Sequence, residues 1–214
     1  MFTSKKITIA SIIFLLTSSI FANEWEYRIG VGQAMFDSSA KVSSGGNIIP
    51  GLSAEADDNT TLLFDISYKI SDNLKARLFG GFPPETTLKK VGDFQVLPDG
   101  TELGKVTYAP AVLSLTYDFT KLGNLQPYIG AGVNYTVVYN EKDLLLNDLA
   151  VDNGLGSVIQ IGADYDLGNS WTVGLDIRKI FVSVDAKAGS PLGDVSVDLE
   201  LDPLIVFLSF GKKF

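Results

Sequence analysis

Alternation of apolar and polar residues with a period of two is the feature that most constrains the fold of this chain. Each of eight segments shows it and predicts a β-strand with one apolar face and one face of polar residues and glycine. The predicted strands lie at 25–32, 62–69, 74–81, 111–119, 128–137, 159–166, 171–178 and 204–214. An all-β fold is therefore predicted.

A soluble β-sandwich and a closed barrel both fit this alternation, and two observations favour the barrel. The polar faces carry glycines and charges of both signs, which suits the limited space inside a narrow barrel. The connections also alternate, with "SDN", "TKLGN" and "GNS" as short turns and long loops between the other strands. We predict an eight-stranded antiparallel transmembrane barrel with short periplasmic turns, long extracellular loops and both termini in the periplasm.

Aromatic residues at the predicted strand ends agree with a membrane-spanning barrel. Those beside the short turns and the chain ends predict a periplasmic girdle at the membrane surface. Its members are Trp25, Tyr68, Tyr117, Phe119, Tyr165, Trp171 and Phe214. A second girdle could be formed by Tyr108, Tyr135, Tyr139 and Phe181. Lys212, an exception on the outward face of the last strand, is expected to extend its ammonium group to the interface.

The N-terminal segment is typical of a secretory signal. Lys5 and Lys6 precede an apolar run that ends in small residues at Ala22, which predicts a signal peptide over 1–22 and a barrel domain over 23–214. No later apolar run is long enough for a membrane helix. The formal net charge of −8, which becomes more negative without the two lysines, argues against nucleic acid as a partner.

Several stretches resemble the OmpW family of small outer-membrane barrels over nearly the whole mature length. These are "DNTTLLFDISYKISDNL" at 58–74, "PYIGAGVNYT" at 127–136, "GADYDLGNSW" at 162–171, "LDP" at 201–203 and the final Phe214. The resemblance implies localisation in the cell outer membrane and a narrow channel lined by apolar side chains. It also implies passive uptake of small hydrophobic molecules, with release into the membrane as one possible exit.

Enzymatic chemistry is not expected. The chain has no histidine and no cysteine, so a Ser–His relay and a thiolate site are both excluded. Inward carboxylates are matched by inward Arg28, Lys75, Arg77 and Arg178, for which ion pairing is the simpler interpretation. We expect no cofactor and no metal site, although the acidic loops leave a divalent-cation site open as an alternative to solvated loops.

Apolar residues on the otherwise polar faces allow two interpretations of the interior. They either plug the barrel, as an eight-stranded barrel is just wide enough for side chains to fill it, or form a dry constriction that passes apolar solutes. They are Leu63, Phe79, Val112, Tyr128, Val158 and Phe207. The first interpretation corresponds to a structural or surface-interaction barrel with functional loops, and the family resemblance favours the channel.

The predicted constriction consists of Leu63, Phe79, Phe207 and Arg178. By the resemblance, Phe79 matches the apolar gate position on the third strand, whereas Arg178 departs from the aromatic residue of the seventh. We expect the Arg178 guanidinium to lie over the Phe79 ring and to pair with Asp65 or Asp176. On this basis an Arg178→Trp substitution is predicted to restore a family-like apolar seal.

Two further expectations concern the surroundings of the barrel. The stretch "DLLLNDLA" at 143–150 could form a short helix, with Leu144, Leu145 and Leu149 packed on the rim. The expected partners are outer-membrane lipids and lipopolysaccharide, small hydrophobic solutes, and the barrel assembly machinery at the strand that ends in Phe214.

Overall fold

The computed structural model describes residues 24–190 and 193–214. The predicted signal peptide at 1–22 lies outside the described residues. Within them, no helix is long and apolar enough to cross a membrane. The described chain forms strands in the order β1 Trp25–Met35, β2 Ser39–Ser44, β3 Asn47–Ile48, β4 Ser53–Ala56, β5 Asn59–Lys69, β6 Leu74–Gly81, β7 Glu85–Val91, β8 Glu102–Asp118, β9 Leu125–Asp143, β10 Asn147–Val151, β11 Gly154–Gly168, β12 Trp171–Ser190, β13 Gly193–Glu200 and β14 Leu204–Lys213.

Eight of these strands close into an antiparallel barrel. Its order is β1, β5, β6, β8, β9, β11, β12 and β14, and β14 pairs again with β1. The connections at 70–73, 119–124 and 169–170 are short and lie at one end, here called the short-turn end. The predicted eight-stranded barrel with alternating connection lengths is therefore confirmed.

The opposite, long-loop end is more ordered than the sequence predicts. Strands β8, β9 and β12 run for 17, 19 and 20 residues, well beyond the predicted segments. Above its pairing with β14, strand β12 pairs with β13, which pairs in turn with β2, and β2 with β3. On the other side β4 pairs with β7 and β7 with β8. Much of the long loops is thus an extension of the barrel wall.

The helix predicted for "DLLLNDLA" is wrong. Residues 147–151 form β10, which pairs with β12, because this segment finds a strand partner at the sheet edge. Two of its three leucines still pack inward. Leu149 is buried in a cluster of apolar side chains and Leu145 is partly buried against that cluster, whereas Leu144 is exposed.

The barrel wall presents its apolar side chains outward and leaves little room inside. Residues such as Ile29, Leu113 and Ile159 are more than half exposed, while the alternating positions are buried. Glycines on the inward face allow the backbone to be packed this tightly: a Cβ added at Gly30 would lie 1.9 Å from the carbonyl oxygen of Leu208 on the paired strand. The interior volume is therefore filled by the few large residues that remain.

Candidate functional site

Six buried charges cross the lower part of the lumen and form the ion-pair layer. They are Arg28, Asp65, Arg77, Asp164, Asp176 and Arg178, three cations and three anions contributed by five strands. Arg28 bridges two of the anions, with its Nη2 2.8 Å from Asp65 Oδ1 and its Nη1 2.7 Å from Asp164 Oδ1. All six side chains are buried and each lies within 4 Å of an opposite charge, so paired charges fill this part of the lumen.

Tyr128 joins the two sides of the ion-pair layer. Its hydroxyl donates to Asp176 Oδ2 at 2.7 Å and accepts from Arg28 Nη1 at 3.2 Å. The Arg77 guanidinium lies 4.2 Å from the centroid of the Tyr128 ring. Tyr128, expected from the sequence only as an inward apolar residue, therefore also supplies hydrogen bonds to the charges.

A layer of buried apolar side chains lies directly on these charges and is called the apolar layer. It comprises Leu63, Phe79, Val112, Val158, Ile180, Val182, Ile205 and Phe207. Phe79 and Phe207 meet edge to face with 5.7 Å between ring centroids. The Arg178 guanidinium carbon is 3.8 Å from the centroid of Phe79, which is the cation–π contact that the sequence predicts.

Arg178 makes both of the ion pairs named as alternatives from the sequence. Its Nη2 is 2.7 Å from Asp65 Oδ2, and its Nε donates to Asp176 Oδ1. The four residues predicted as a constriction therefore lie together, since Leu63 belongs to the same apolar layer as Phe79 and Phe207. Their role in gating stays a prediction.

An apolar cavity, the outer cavity, opens above the apolar layer. Its floor includes Leu63, Ile180, Val182 and Ile205. Higher lining residues are mostly aliphatic or small, with aromatic rings at Phe36, Phe82 and Tyr108. The cavity volume is about 50 Å³, room for only a few water-sized groups. A larger solute must therefore displace side chains or loops as it enters.

The barrel wall beside this cavity has a break in its hydrogen-bond ladder, here called the wall gap. The pairing of β6 with β8 ends at Phe79 and Val112, and β8 is next paired with β7 from Thr107 upward. Gly81, Phe82 and Pro84 follow Phe79 on one side of the gap, Pro110 precedes Val112 on the other, and all four also line the cavity. The two prolines have no N–H to donate to a neighbouring strand, so a continuous ladder cannot form there.

The seven predicted girdle residues lie at the short-turn end. Trp25 and Tyr68 have ring centroids 4.9 Å apart, and Tyr117 and Phe119 5.6 Å apart. The Lys212 ammonium lies 5.1 Å from the ring centroids of both Trp171 and Phe214. Tyr165 is also exposed on the outer wall.

The suggested second girdle is wrong at one position. Tyr135, Tyr139 and Phe181 are exposed on the wall, but Tyr108 points inward and lines the outer cavity. Tyr108 has the same parity as the buried Val112 in β8, so its side chain must face the lumen. There it meets Phe36 edge to face at 5.7 Å.

Ion pairs hold the wall extension at the long-loop end. Lys89 Nζ lies 2.7 Å from Asp57 Oδ2, and this hydrogen bond raises the pKa of Lys89. The hydrogen bond from Lys142 lowers the pKa of Glu85. Among residues 24–190 and 193–214 no three acidic side chains are grouped so as to hold a metal ion.

A closed barrel with an apolar outer face, an aromatic girdle and a narrow apolar cavity defines a small outer-membrane β-barrel protein. The family comparison makes this assignment specific. The chain belongs to the OmpW family, whose model matches residues 25–214. It therefore lies in the outer membrane, with its short turns on the periplasmic side and its long loops outside.

Individual relatives agree with this assignment. The dibenzothiophene metabolism operon protein PahQ of Pseudomonas aeruginosa is 40% identical over 204 residues, covering 94% of this chain and 95% of PahQ. The outer membrane protein AlkL of Ectopseudomonas oleovorans is 31% identical over 187 residues, covering 87% and 77%. The crystal structure of OprG from Pseudomonas aeruginosa has the same fold, with a TM-score of 0.82 at 23% identity over 90% of this chain and 96% of OprG.

Removal of the Phe79 ring tests whether the apolar layer seals the lumen. We expect Phe79→Ala to raise small-ion conductance in planar bilayers, because the ring covers Arg178 and contacts Phe207. Phe64→Ala is the matched control, since Phe64 lies on the neighbouring strand but faces lipid with 40% of its surface exposed. Unchanged conductance in a correctly assembled Phe79→Ala barrel would show that Phe79 only fills space.

Proposed function

We propose that this barrel takes up small hydrophobic molecules passively, through the outer cavity, and releases them sideways into the membrane. The observation that carries the proposal is the vertical order of the lumen. An apolar cavity faces the outside, an apolar layer forms its floor, and the ion-pair layer lies below. Transfer of an apolar solute from water into the cavity is favourable, whereas its transfer into a layer of paired charges is not.

The wall gap supplies an exit from the cavity that avoids the path along the barrel axis through the ion-pair layer. Gly81, Phe82, Pro84 and Pro110 line the cavity on the side where the ladder between β6 and β8 is interrupted. At its upper edge the backbone N–H of Tyr108 donates to the Pro84 carbonyl at 3.2 Å. A solute that moves between these edges passes from one apolar environment to another and breaks few backbone hydrogen bonds.

The relatives support a hydrophobic solute. PahQ carries the name of a dibenzothiophene metabolism operon, and dibenzothiophene is an apolar molecule of fused rings. We extend this class of solute to the present chain. The ion-pair layer also fits the second candidate, a structural barrel with functional loops, but that function gives no role to an apolar cavity beside an interrupted hydrogen-bond ladder.

The proposal assigns no catalytic role to the chain. The sequence contains no histidine and no cysteine, which excludes their chemistry, and the inward carboxylates contact arginines, Lys75 and Tyr128. Residues 1–22 serve as a removable signal and 23–214 as the barrel. The outward surface contacts membrane lipids and lipopolysaccharide, and the assembly machinery binds the final strand, whose last N–H, that of Phe214, donates to the Trp25 carbonyl at 2.8 Å.

Uptake by intact cells tests the function. Host cells that lack other members of the family, with and without this protein, are given a labelled hydrophobic solute, and initial accumulation is measured. We expect faster accumulation with the barrel and no difference for a polar solute of similar size. Equal accumulation of the hydrophobic solute, in cells whose barrel is shown to be folded by heat-modifiable gel migration, would favour the structural function instead.

A further inference from the structure

We propose that Phe36 and Tyr108 form an aromatic selector, which favours planar aromatic solutes over aliphatic ones of similar size. This inference rests on the proposed uptake function and adds a preferred class of solute, fused-ring aromatic hydrocarbons. The two rings line the outer cavity and meet edge to face, with 5.7 Å between centroids and 81° between planes.

The position of the aromatic rings in the cavity carries the inference. Phe36, Phe82 and Tyr108 are the aromatic residues that line it, whereas Val151, Val184, Leu199 and most other lining residues are aliphatic or small. Tyr108 and Phe82 belong to the two edges of the wall gap, and Phe36 contacts Tyr108. The rings are thus concentrated on the side of the cavity from which a solute would leave.

Backbone hydrogen bonds at both positions, together with the contact between the two rings, order this pair before a solute arrives. The N–H of Phe36 donates to Asp58 Oδ1 at 2.9 Å, and the N–H of Tyr108 donates to the Pro84 carbonyl at 3.2 Å. A solute that binds them therefore loses little free energy to ordering of the protein. In an edge-to-face pair, one ring presents only its edge to the other, which leaves its own faces available to a third ring.

The chemistry of the contact distinguishes aromatic from aliphatic solutes. Burial of apolar area favours both, in proportion to their surface. A planar aromatic molecule gains in addition the attraction between ring faces and ring edges, which corresponds to about a two- to tenfold preference for each such contact. An alkane of equal size has no ring, so its binding is favoured only by the burial of its apolar surface.

Two solutes and three variants of the barrel test the selector. Initial uptake of labelled naphthalene and labelled n-octane is measured in host cells with the wild-type barrel, with Phe36→Leu and Tyr108→Leu together, and with Phe36→Leu alone. Leucine keeps the sites apolar but removes the rings. Phe181→Leu is the matched control, because Phe181 is an aromatic residue of the same barrel that faces lipid with 42% of its surface exposed.

We expect naphthalene uptake to fall at least about threefold in the double variant and less in the single one, with n-octane uptake and the Phe181→Leu barrel unchanged. The single variant keeps the test decisive if the double variant fails to assemble. An equal fall for both solutes, or no fall for either, would overturn the selector while leaving uptake intact. Uptake of neither solute by the wild-type barrel would overturn the proposed function and the selector with it.

Discussion

Replacement of Arg178 by methionine is expected to lower the free energy of unfolding of the barrel by about 3–5 kcal/mol, the usual result of removing one member of a buried ion pair. The Arg178 side chain has no exposed surface and binds both Asp65 and Asp176. Without it Asp176 keeps only the Tyr128 hydroxyl as a described side-chain partner, and the three anions of the layer face two cations. Urea unfolding in lipid vesicles, followed by heat-modifiable gel migration, measures the loss.

A second substitution separates charge balance from simple loss of packing. Arg178→Met combined with Asp176→Asn removes one cation and one anion, so the layer again carries equal numbers of each. We expect this double variant to be more stable than Arg178→Met alone, because a neutral amide in place of an unpaired carboxylate costs less to bury. A loss below about 1 kcal/mol in the single variant would contradict the buried layer, since exposed ion pairs contribute no more than this.

The same contacts change the expectation for Arg178→Trp. From the sequence, tryptophan at this position is predicted to complete an apolar seal with Phe79. In the structure the guanidinium satisfies two carboxylates beneath that ring, and an indole cannot do so. The substitution is therefore expected to destabilise assembly in the same way as Arg178→Met, before any effect on conductance is seen.

The sequence predicts the barrel well because strand faces follow a strict rule. In a wall one strand thick, every second residue points inward, so parity alone places Phe79, Arg178 and Asp65 in one lumen. Their contacts could then be anticipated, since a charge inside so narrow a space requires an opposite charge or a π-face nearby. The short turns and the girdle follow from the same register.

Features outside the membrane-spanning register were harder to predict. Continuation of β12 into a second pairing with β13 depends on contacts between distant loops. The strand within "DLLLNDLA", which begins at Asn147, likewise depends on its pairing with β12. The sequence does contain a signal for the wall gap, although the inward–outward alternation does not reveal it. Pro110 lies within β8, and a proline within a strand marks an interrupted ladder. The inward parity of Tyr108 was likewise present in the sequence.

Closure of the wall gap by a cross-link is expected to reduce hydrophobic uptake at least about tenfold. Phe82 and Ala109 lie on the two edges of the gap, at positions that would face each other if the ladder continued beyond Phe79 and Val112. Because the chain has no cysteine, Phe82→Cys with Ala109→Cys introduces the sole pair of thiols. Oxidation, or a short thiol-specific cross-linker, joins the edges, and reduction of the disulfide restores the starting state within one sample.

The control places the same cross-link where the wall is continuous. Leu113 and Val133 are paired in the ladder of β8 and β9 and both face lipid, so Leu113→Cys with Val133→Cys joins two strands without touching the gap. Uptake should be unchanged there on oxidation, and at the gap it should fall and return on reduction. If uptake continues with the gap closed, the solute must cross the apolar and ion-pair layers along the barrel axis, and sideways release is wrong. Exit between β6 and β8 predicts that only the cross-link at the gap lowers uptake. If uptake falls in both barrels, the loss is due to general stiffening of the wall, and sideways release at the gap is not supported.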